Sequence, residues 1–222
     1  MENVTTNTNK VFIMGEVYTD PTFSHEMYGE SFYEFMVSVK RLSGQNDIIP
    51  VTASERLYGK DKLKKGDKVA INGQFISYNK LIDNKSKLML TVFVKDFLPY
   101  DEGSQNPNEV VLTGYVCKPP VYRTTPFNRE ICDVLLAINR SYKKSDYIPC
   151  IAWGRNARFS QDLEVGRRIT VSGRIQSREY TKKIGETSEV RIAYELSVSK
   201  IICENNEITE EIAQTEIEEQ AQ

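Results

Sequence analysis

Hydrophobic and polar residues alternate along most of this chain in short segments, the pattern typical of strands with one buried face. Five such segments, rich in β-branched and aromatic residues, fall in each half of the chain. The first set comprises residues 11–17, 32–41, 48–53, 68–78 and 87–97, and the second comprises residues 110–116, 131–139, 147–153, 168–180 and 190–202. A helix is predicted over residues 157–163 and ends before Gly166.

The two halves resemble each other at a spacing of about 99 residues. Residues 9–17 match residues 108–116, and residues 35–41 and 47–51 match residues 134–140 and 146–150. Residues 63–69 then match residues 163–169, one position further on. So long a period indicates two copies of one fold rather than a solenoid.

Five strands with a helix between the third and the fourth are typical of a Greek-key barrel of the OB type. We therefore predict an all-β protein of two tandem five-stranded Greek-key OB-fold barrels, each with one short helix between strands 3 and 4. Residues 101–107 are polar and turn-rich, which sets the predicted domains at residues 1–103 and 104–203. Residues 204–222 lack tyrosine, phenylalanine and basic residues, and we expect a disordered acidic tail there.

The formal net charge of −2 conceals an uneven distribution. Residues 1–102 carry 13 Lys and Arg against 14 Asp and Glu, and residues 103–203 carry 16 against 10. The last 19 residues carry seven acidic residues and no basic ones. The second copy is therefore a basic module, which is the electrostatic signature of a nucleic-acid binder.

The cysteine spacing and the single histidine argue against most kinds of catalytic site. The four cysteines, Cys117, Cys132, Cys150 and Cys203, form no close pair of the kind that zinc or redox sites use. We expect them to be reduced and mostly buried, and His25 is the single histidine. No signal peptide or membrane span is indicated. We therefore predict a cytoplasmic protein that is not an enzyme and needs no metal or cofactor.

Strand parity predicts an exposed basic and aromatic face on the second copy. Residues 169, 171, 175 and 177 form the predicted inward set of the fourth strand, which places Arg174, Gln176, Arg178 and Tyr180 outward. Tyr147 and Trp153 share one face of the third strand, roughly 20 Å apart. Tyr142 adds a ring among the cations of the preceding loop. Rings interleaved with cations are what sequence-neutral binding of unpaired strands requires.

Three ordered runs, residues 133–144, 146–154 and 173–180, resemble bacterial single-stranded DNA-binding proteins. The resemblance covers residues 108–202 well and residues 9–98 more weakly. It implies sequence-independent binding of single-stranded DNA during replication, recombination and repair, with base stacking on Tyr142, Tyr147, Trp153 and Tyr180. The predicted nucleic-acid-binding residues are Tyr142, Tyr147, Trp153, Tyr180, Arg140, Lys143, Lys144, Arg155, Arg174 and Arg178.

The first copy departs from this pattern at all four ring positions. Leu42, Ile48, Ser54 and Lys80 stand where the second copy has rings, and Tyr58 and Tyr78 are partial substitutes. We therefore expect the N-terminal barrel to be mainly architectural or a weak binder. Members of the family commonly assemble four OB-folds, so two in one chain suggest a homodimer. The acidic tail lacks the family's hydrophobic tip, which weakens the expectation that it recruits replication or repair proteins.

Two further interpretations remain open. An accessory primosomal, phage or plasmid replication protein would use its OB-folds as a protein interface, and an RNA-binding OB module would prefer RNA of the same sequence. The bacterial setting that the resemblance implies is a nucleoid-associated protein, or one encoded by a phage or plasmid in its host.

Overall fold

The computed structural model describes residues 8–41, 43–58, 63–82, 84–103, 106–141, 144–184 and 187–203. Twelve strands and two short helices occur in these ranges. The first half contains β1 (Asn9–Val17), β2 (Thr22–Met27), β3 (Glu30–Lys40), β4 (Asn46–Ser54), α1 (Glu55–Tyr58), β5 (Lys68–Ile82) and β6 (Lys85–Leu98). The second contains β7 (Asn108–Val116), β8 (Val121–Thr124), β9 (Glu130–Arg140), β10 (Lys144–Trp153), α2 (Arg155–Ser160), β11 (Arg168–Ile184) and β12 (Thr187–Cys203).

Each half closes into a barrel through the same set of strand pairs. In the N-terminal barrel β1 pairs with β5 and β3, β3 with β4, and β5 with β6, all antiparallel, while β4 and β6 pair in parallel. The C-terminal barrel repeats these pairings with β7, β9, β10, β11 and β12. This closed order of five strands, with a helix between the third and the fourth, is the OB topology, and it confirms the predicted fold class.

The structure corrects the predicted elements in three respects. A sixth strand, β2 or β8, flanks each barrel by pairing with β3 or β9, and its short, mostly exposed sequence gives little hydrophobic signal. The helix α2 spans Arg155–Ser160 rather than residues 157–163, and the helix predicted for the N-terminal barrel is the short α1. The hairpins β5–β6 and β11–β12 also extend beyond the predicted ends of their strands. The acidic segment 204–222 lies outside the described residues.

A bulge and a buried asparagine bend the fourth barrel strand in each half. The register shifts between Ser172 and Gly173, and the side chain of Asn108 then bridges the backbone of Ile175, donating to its carbonyl at 2.7 Å and accepting from its N–H at 2.9 Å. Asn9 bridges Phe75 in the same way. Because a buried backbone group needs a partner, the asparagine stabilises the bend where regular strand bonding is interrupted.

The two barrels are joined edge to edge by their first strands. β1 and β7 pair antiparallel, with Val11 opposite Val110, and the pairs Asn9–Leu112 and Ile13–Asn108 are exchanged by the repeat. Val11 and Val110 are both buried, and a continuous hydrophobic core extends through both barrels. The internal repeat therefore produces an approximate twofold relation within one chain, and the barrels share one sheet.

The extended hairpins reinforce this junction because each one reaches the opposite barrel. The backbone N–H of Ser177 on β11 donates to Asp47 Oδ1 of the N-terminal barrel at 2.7 Å, and the N–H of Ile48 donates to Ser177 Oγ at 3.1 Å. On the other side, Ser77 N–H donates to Asp146 Oδ1 at 2.6 Å, and Tyr147 N–H donates to Ser77 Oγ at 2.8 Å. Both carboxylates are fully buried.

The two carboxylates differ in how well they are compensated. Arg41 Nε and Arg174 Nη1 both donate to Asp47 Oδ2, at 2.7 Å and 2.9 Å. Asp146 Oδ2 lies 3.1 Å from Arg140 Nε but accepts no well-aligned hydrogen bond in the described structure. Burial raises the pKa of Asp146, and the Ser77 N–H and Arg140 only partly offset that effect. Asp47 therefore forms the stronger of the two contacts between the barrels.

Two of the four cysteines, Cys132 and Cys150, are buried, and all four are free thiols. Burial raises the pKa of the Cys132 thiol to about 11 and that of Cys150 further. These thiols are therefore protonated packing groups at neutral pH. The described helices include none long and apolar enough to cross a membrane.

We expect Asp47→Asn to destabilise the protein more than Asp146→Asn. The first change removes the negative charge that Arg41 and Arg174 both contact, and it should lower the free energy of unfolding by about 3 kcal/mol. This is the low end of the cost of breaking a buried ion pair, because both arginines also reach solvent. The second removes a charge that burial already disfavours, and should cost about 1 kcal/mol. Urea unfolding of both variants measures the difference, and equal losses would contradict the asymmetry.

The pH dependence provides a check on the same pair. Because the folded-state pKa of Asp146 is raised, the native state favours the protonated acid, and stability should fall as pH rises from its unfolded to its folded pKa. Asp146→Asn should abolish that component of the pH profile.

Candidate nucleic-acid interface

Three predicted rings of the C-terminal barrel lie at its surface. Tyr147 on β10 is 45% exposed, Trp153 at the end of the same strand is 36% exposed, and Tyr180 on β11 is 38% exposed. Their strands alternate, so Ile148, Cys150 and Ala152 between the two β10 rings face the core. Ile151, on the same parity as the rings, is buried. Tyr142 lies outside the described residues.

Tyr180 lies within a cluster of basic groups. The Arg178 guanidinium is 6.0 Å from the centre of the Tyr180 ring, close enough for a cation–π contact. Arg191 stands directly opposite Tyr180 on β12, and its guanidinium is paired with Glu189 at 2.8 Å. Glu195 partly neutralises Arg178 at 3.4 Å. The sequence pattern does not single out Arg191, although its place opposite Tyr180 in the hairpin would have indicated it.

The cations near β10 are placed at both ends of the strand. Arg140 and Lys144 face each other where β9 and β10 begin their pairing, and Arg155 follows Trp153 closely at the start of α2. Lys144 and Arg155 are exposed, whereas Arg140 is partly engaged with Asp146. Lys143 lies outside the described residues. The remaining two cations, Arg174 and Arg178, lie on β11.

The structure corrects the predicted outward set of β11. Gln176 is buried and donates to Glu195 Oε1 at 2.7 Å, and Arg174 is directed at Asp47 of the N-terminal barrel. Ser177, predicted to face inward, contacts the N-terminal barrel instead. Strict alternation fails here because Arg174 and Ser177 contact the N-terminal barrel, while Gln176 is buried against Glu195 of β12. Arg178 and Tyr180 lie beyond these contacts and remain exposed.

A surface depression borders α2 beside Trp153. It encloses about 290 Å³ and is lined by Arg155, Asn156, Phe159, Ser199, Lys200 and Ile201. Phe159 is about half exposed, and the Asn156 side chain fixes the helix to β12 by donating to the Ser199 carbonyl at 3.0 Å. Phe159 and Lys200 therefore extend the mixed aromatic and basic surface beyond the predicted residues. The sequence gives no sign of this pairing because α2 and β12 are far apart in the chain.

The equivalent positions of the N-terminal barrel carry no such surface in the described residues. Ser54, at the position of Trp153, is buried and hydrogen bonded to Glu30. Tyr78 donates to Glu34 at 3.3 Å, and burial raises the pKa of its hydroxyl to about 12. Tyr58 packs edge-on against Tyr33 and Phe97. Tyr58 and Tyr78, the partial substitutes, thus contact residues of their own barrel. Leu42 lies outside the described residues.

The described residues contain no group of three or more His, Cys, Asp or Glu side chains arranged to hold a metal ion. The C-terminal barrel has three exposed rings, Tyr147, Trp153 and Tyr180, and cations that lie near them on β10, α2 and β11. Such a surface can stack against planar groups and neutralise anions.

The C-terminal barrel also matches a known protein family. The model of the single-strand binding protein family matches residues 107–202, the C-terminal barrel. Single-stranded DNA-binding protein B of Bacillus subtilis is 35% identical over 85 residues, which cover 35% of this chain and 75% of that protein. Single-stranded DNA-binding protein 1 of Staphylococcus aureus is 33% identical over 110 residues, or 46% of this chain. The chain spans 61% of the length of the S. aureus protein.

The fold of the whole chain also has a solved counterpart. The wild-type single-stranded DNA-binding protein from Thermus aquaticus superposes with a TM-score of 0.69, covering 89% of this chain and 93% of that one at 20% identity. At this identity the likeness concerns the fold alone, and it includes both barrels. With the match to the B. subtilis protein, these results place the chain in the single-strand binding protein family.

Proposed function

We propose that this protein binds single-stranded DNA without sequence preference and protects unpaired strands during replication, recombination and repair. The observation that carries the proposal is the exposure of Tyr147, Trp153 and Tyr180 on one barrel together with Arg178, Lys144 and Arg155. Each base presents a flat face that gains about 1–3 kcal/mol by stacking on an aromatic ring, whatever its identity. Cations hold the phosphates and release counterions.

The proposal includes a division between the barrels. Stacking falls to the C-terminal barrel, because Tyr58 and Tyr78 of the N-terminal barrel are packed or hydrogen bonded. The domain boundary is proposed at residues 103 and 104, between the end of β6 at Leu98 and the start of β7 at Asn108. The protein acts by binding alone, in the cytoplasm, without catalysis.

Titration with oligo-dT tests the proposal directly because Trp153 is the only tryptophan in the sequence. We expect submicromolar binding with quenched Trp153 fluorescence, and an affinity that falls as the salt concentration rises, as counterion release requires. A duplex of the same length, whose base faces are hidden, should quench far less.

Two outcomes of that titration would contradict the proposal. Fluorescence unchanged by oligo-dT would favour the use of the barrels as a protein interface. Tighter binding of an RNA oligonucleotide than of DNA with the same sequence would favour the RNA-binding interpretation.

Ring removal tests where the affinity resides. Trp153→Ala and Tyr180→Ala should each weaken binding of labelled oligo-dT by about 1–3 kcal/mol, measured by fluorescence anisotropy. Tyr78→Ala and Lys80→Ala, on the matching hairpin of the N-terminal barrel, are the controls and should have a much smaller effect. Comparable losses from the control variants would refute the division between the barrels.

We also propose that two chains associate into a homodimer that carries four OB-folds. The proposal is supported by the pairing of two barrels within one chain, which supplies half of a four-barrel assembly. Analytical ultracentrifugation should give a particle of twice the 25.5 kDa chain mass. A particle of 25.5 kDa at micromolar concentration would overturn this part of the proposal.

A further inference from the structure

The junction between the barrels contains a cavity of about 270 Å³ on the Asp47 side. Its lining comes from both barrels and from the segment that precedes β7. The lining residues are Lys40, Arg41, Ser43, Asp47, Asn106, Pro107, Asn108 and Arg174. The cavity is therefore polar, and it exists only because the two barrels are joined.

Positive charge exceeds negative charge in this cavity. Lys40, Arg41 and Arg174 face a single carboxylate, that of Asp47. Asp47 already accepts hydrogen bonds from both guanidinium groups and from Ser177 N–H, so both of its carboxylate oxygens are bonded to groups of the protein itself. Burial lowers the pKa of Arg174, an effect that Asp47 opposes and Arg41 reinforces. An anion in the cavity would compensate this excess.

The Asp47 side of the junction differs from the equivalent Asp146 side in its cations. At the Asp146 side of the junction, the residues equivalent to Lys40, Arg41 and Arg174 are Asn139, Arg140 and Gln74. Of these three positions only that of Arg140 carries a cation, and the same backbone contacts form, with Ser77 bonded to Asp146 and Tyr147. The backbone contacts of the junction thus form without cations at the positions of Lys40 and Arg174. Arg174 donates to Asp47 through Nη1 at 2.9 Å, and Lys40 takes part in none of the bonds to Asp47 described above.

The location of the cavity indicates which ligand. Arg174 lies on β11, the strand that carries Arg178 and Tyr180, while Lys40 and Arg41 lie at the end of β3 in the N-terminal barrel. A polyanion bound along the exposed part of β11 would meet Arg174 next and then the cations of the other barrel. Guanidinium groups bind phosphate oxygens through paired N–H donors, and an ammonium adds a point charge.

We propose that Lys40, Arg41 and Arg174 bind a backbone phosphate of a single strand as it passes from the C-terminal to the N-terminal barrel. This inference rests on the proposed function. It assigns to the N-terminal barrel a share of the affinity that comes from charge rather than from stacking. Inorganic phosphate has the same chemistry, so the test must separate the free ion from the nucleic-acid backbone.

The test replaces the additional cations by the residues that stand at the other side of the junction. The variant Lys40→Asn/Arg174→Gln is compared with Lys95→Asn/Lys118→Gln, which removes two exposed cations outside the cavity and gives the same net charge. Oligo-dT binding is followed by Trp153 fluorescence over a range of salt concentrations. The single variant Lys40→Asn leaves every bond to Asp47 in place and controls for any loss of stability in the double variant.

The cavity variant should show a salt-dependence slope smaller by about 0.7 for each phosphate that is no longer neutralised, and about five-fold weaker binding at roughly 0.1 M salt. Lys40→Asn alone should reduce the slope in the same direction. The Lys95→Asn/Lys118→Gln control should retain the wild-type slope, and quenching of Trp153 at saturation should be unchanged in all variants.

Equal slopes for the wild type, the cavity variants and the control would overturn the phosphate contact while leaving the proposed function intact. An equal decrease in the cavity and control variants would also overturn it, because net charge alone would then account for the effect. Failure of the wild type to bind oligo-dT would instead overturn the proposed function. If inorganic phosphate raises the unfolding temperature of the wild type alone while the oligo-dT slopes are equal, the cavity binds the free ion and the proposal is wrong.

Discussion

The buried carboxylate of Asp47 is the interaction on which the arrangement of this protein depends. It lies in one barrel and accepts hydrogen bonds from the backbone and a side chain of the other. Because an unpaired buried charge is costly, these bonds fix where the β11 hairpin crosses the N-terminal barrel. At that crossing Arg174 and Ser177 contact the N-terminal barrel, whereas Arg178 and Tyr180 lie further along β11 and are exposed. The exposed part of the proposed binding surface is thus determined by a contact between barrels as much as by the C-terminal barrel itself.

The repeat has diverged in a way that separates two roles. Both copies retain the asparagine at the bend, the carboxylate at the junction and the serine that contacts the opposite carboxylate. Only the second copy has exposed rings at the positions of Trp153 and Tyr180, whereas the first has the buried Ser54 and the exposed Lys80. What folding requires is present twice, and what we propose for stacking is present once. The two copies also differ at the junction, where Lys40 and Arg174 stand in place of the uncharged Asn139 and Gln74.

Local patterns predict the barrel strands, the repeat and the exposure of Tyr147, Trp153 and Tyr180, because alternation records which face of a strand is buried. They do not reveal β2 or β8, which are short and mostly exposed and so carry little hydrophobic periodicity, and they predict α1 only as part of the OB pattern. The same alternation puts Ser177 and Gln176 on the wrong sides. Ser177 contacts Asp47, which is 130 residues away in the chain, and Gln176 is buried with Glu195 of β12. The cavity lined by Lys40 and Arg174 could not be predicted from the sequence either, because its lining residues are far apart in the chain. Contacts between distant segments leave no local signature.

The central claim is that unpaired bases stack on the rings of the C-terminal barrel. Photocrosslinking to oligo-dT that carries 5-iododeoxyuridine tests it most directly, since this base crosslinks preferentially to aromatic side chains in stacking contact. After proteolysis and mass spectrometry, we expect the crosslinks to map to Tyr147, Trp153 and Tyr180. Crosslinks confined to N-terminal rings such as Phe23 or Tyr58, with those three residues unmodified, would contradict the account.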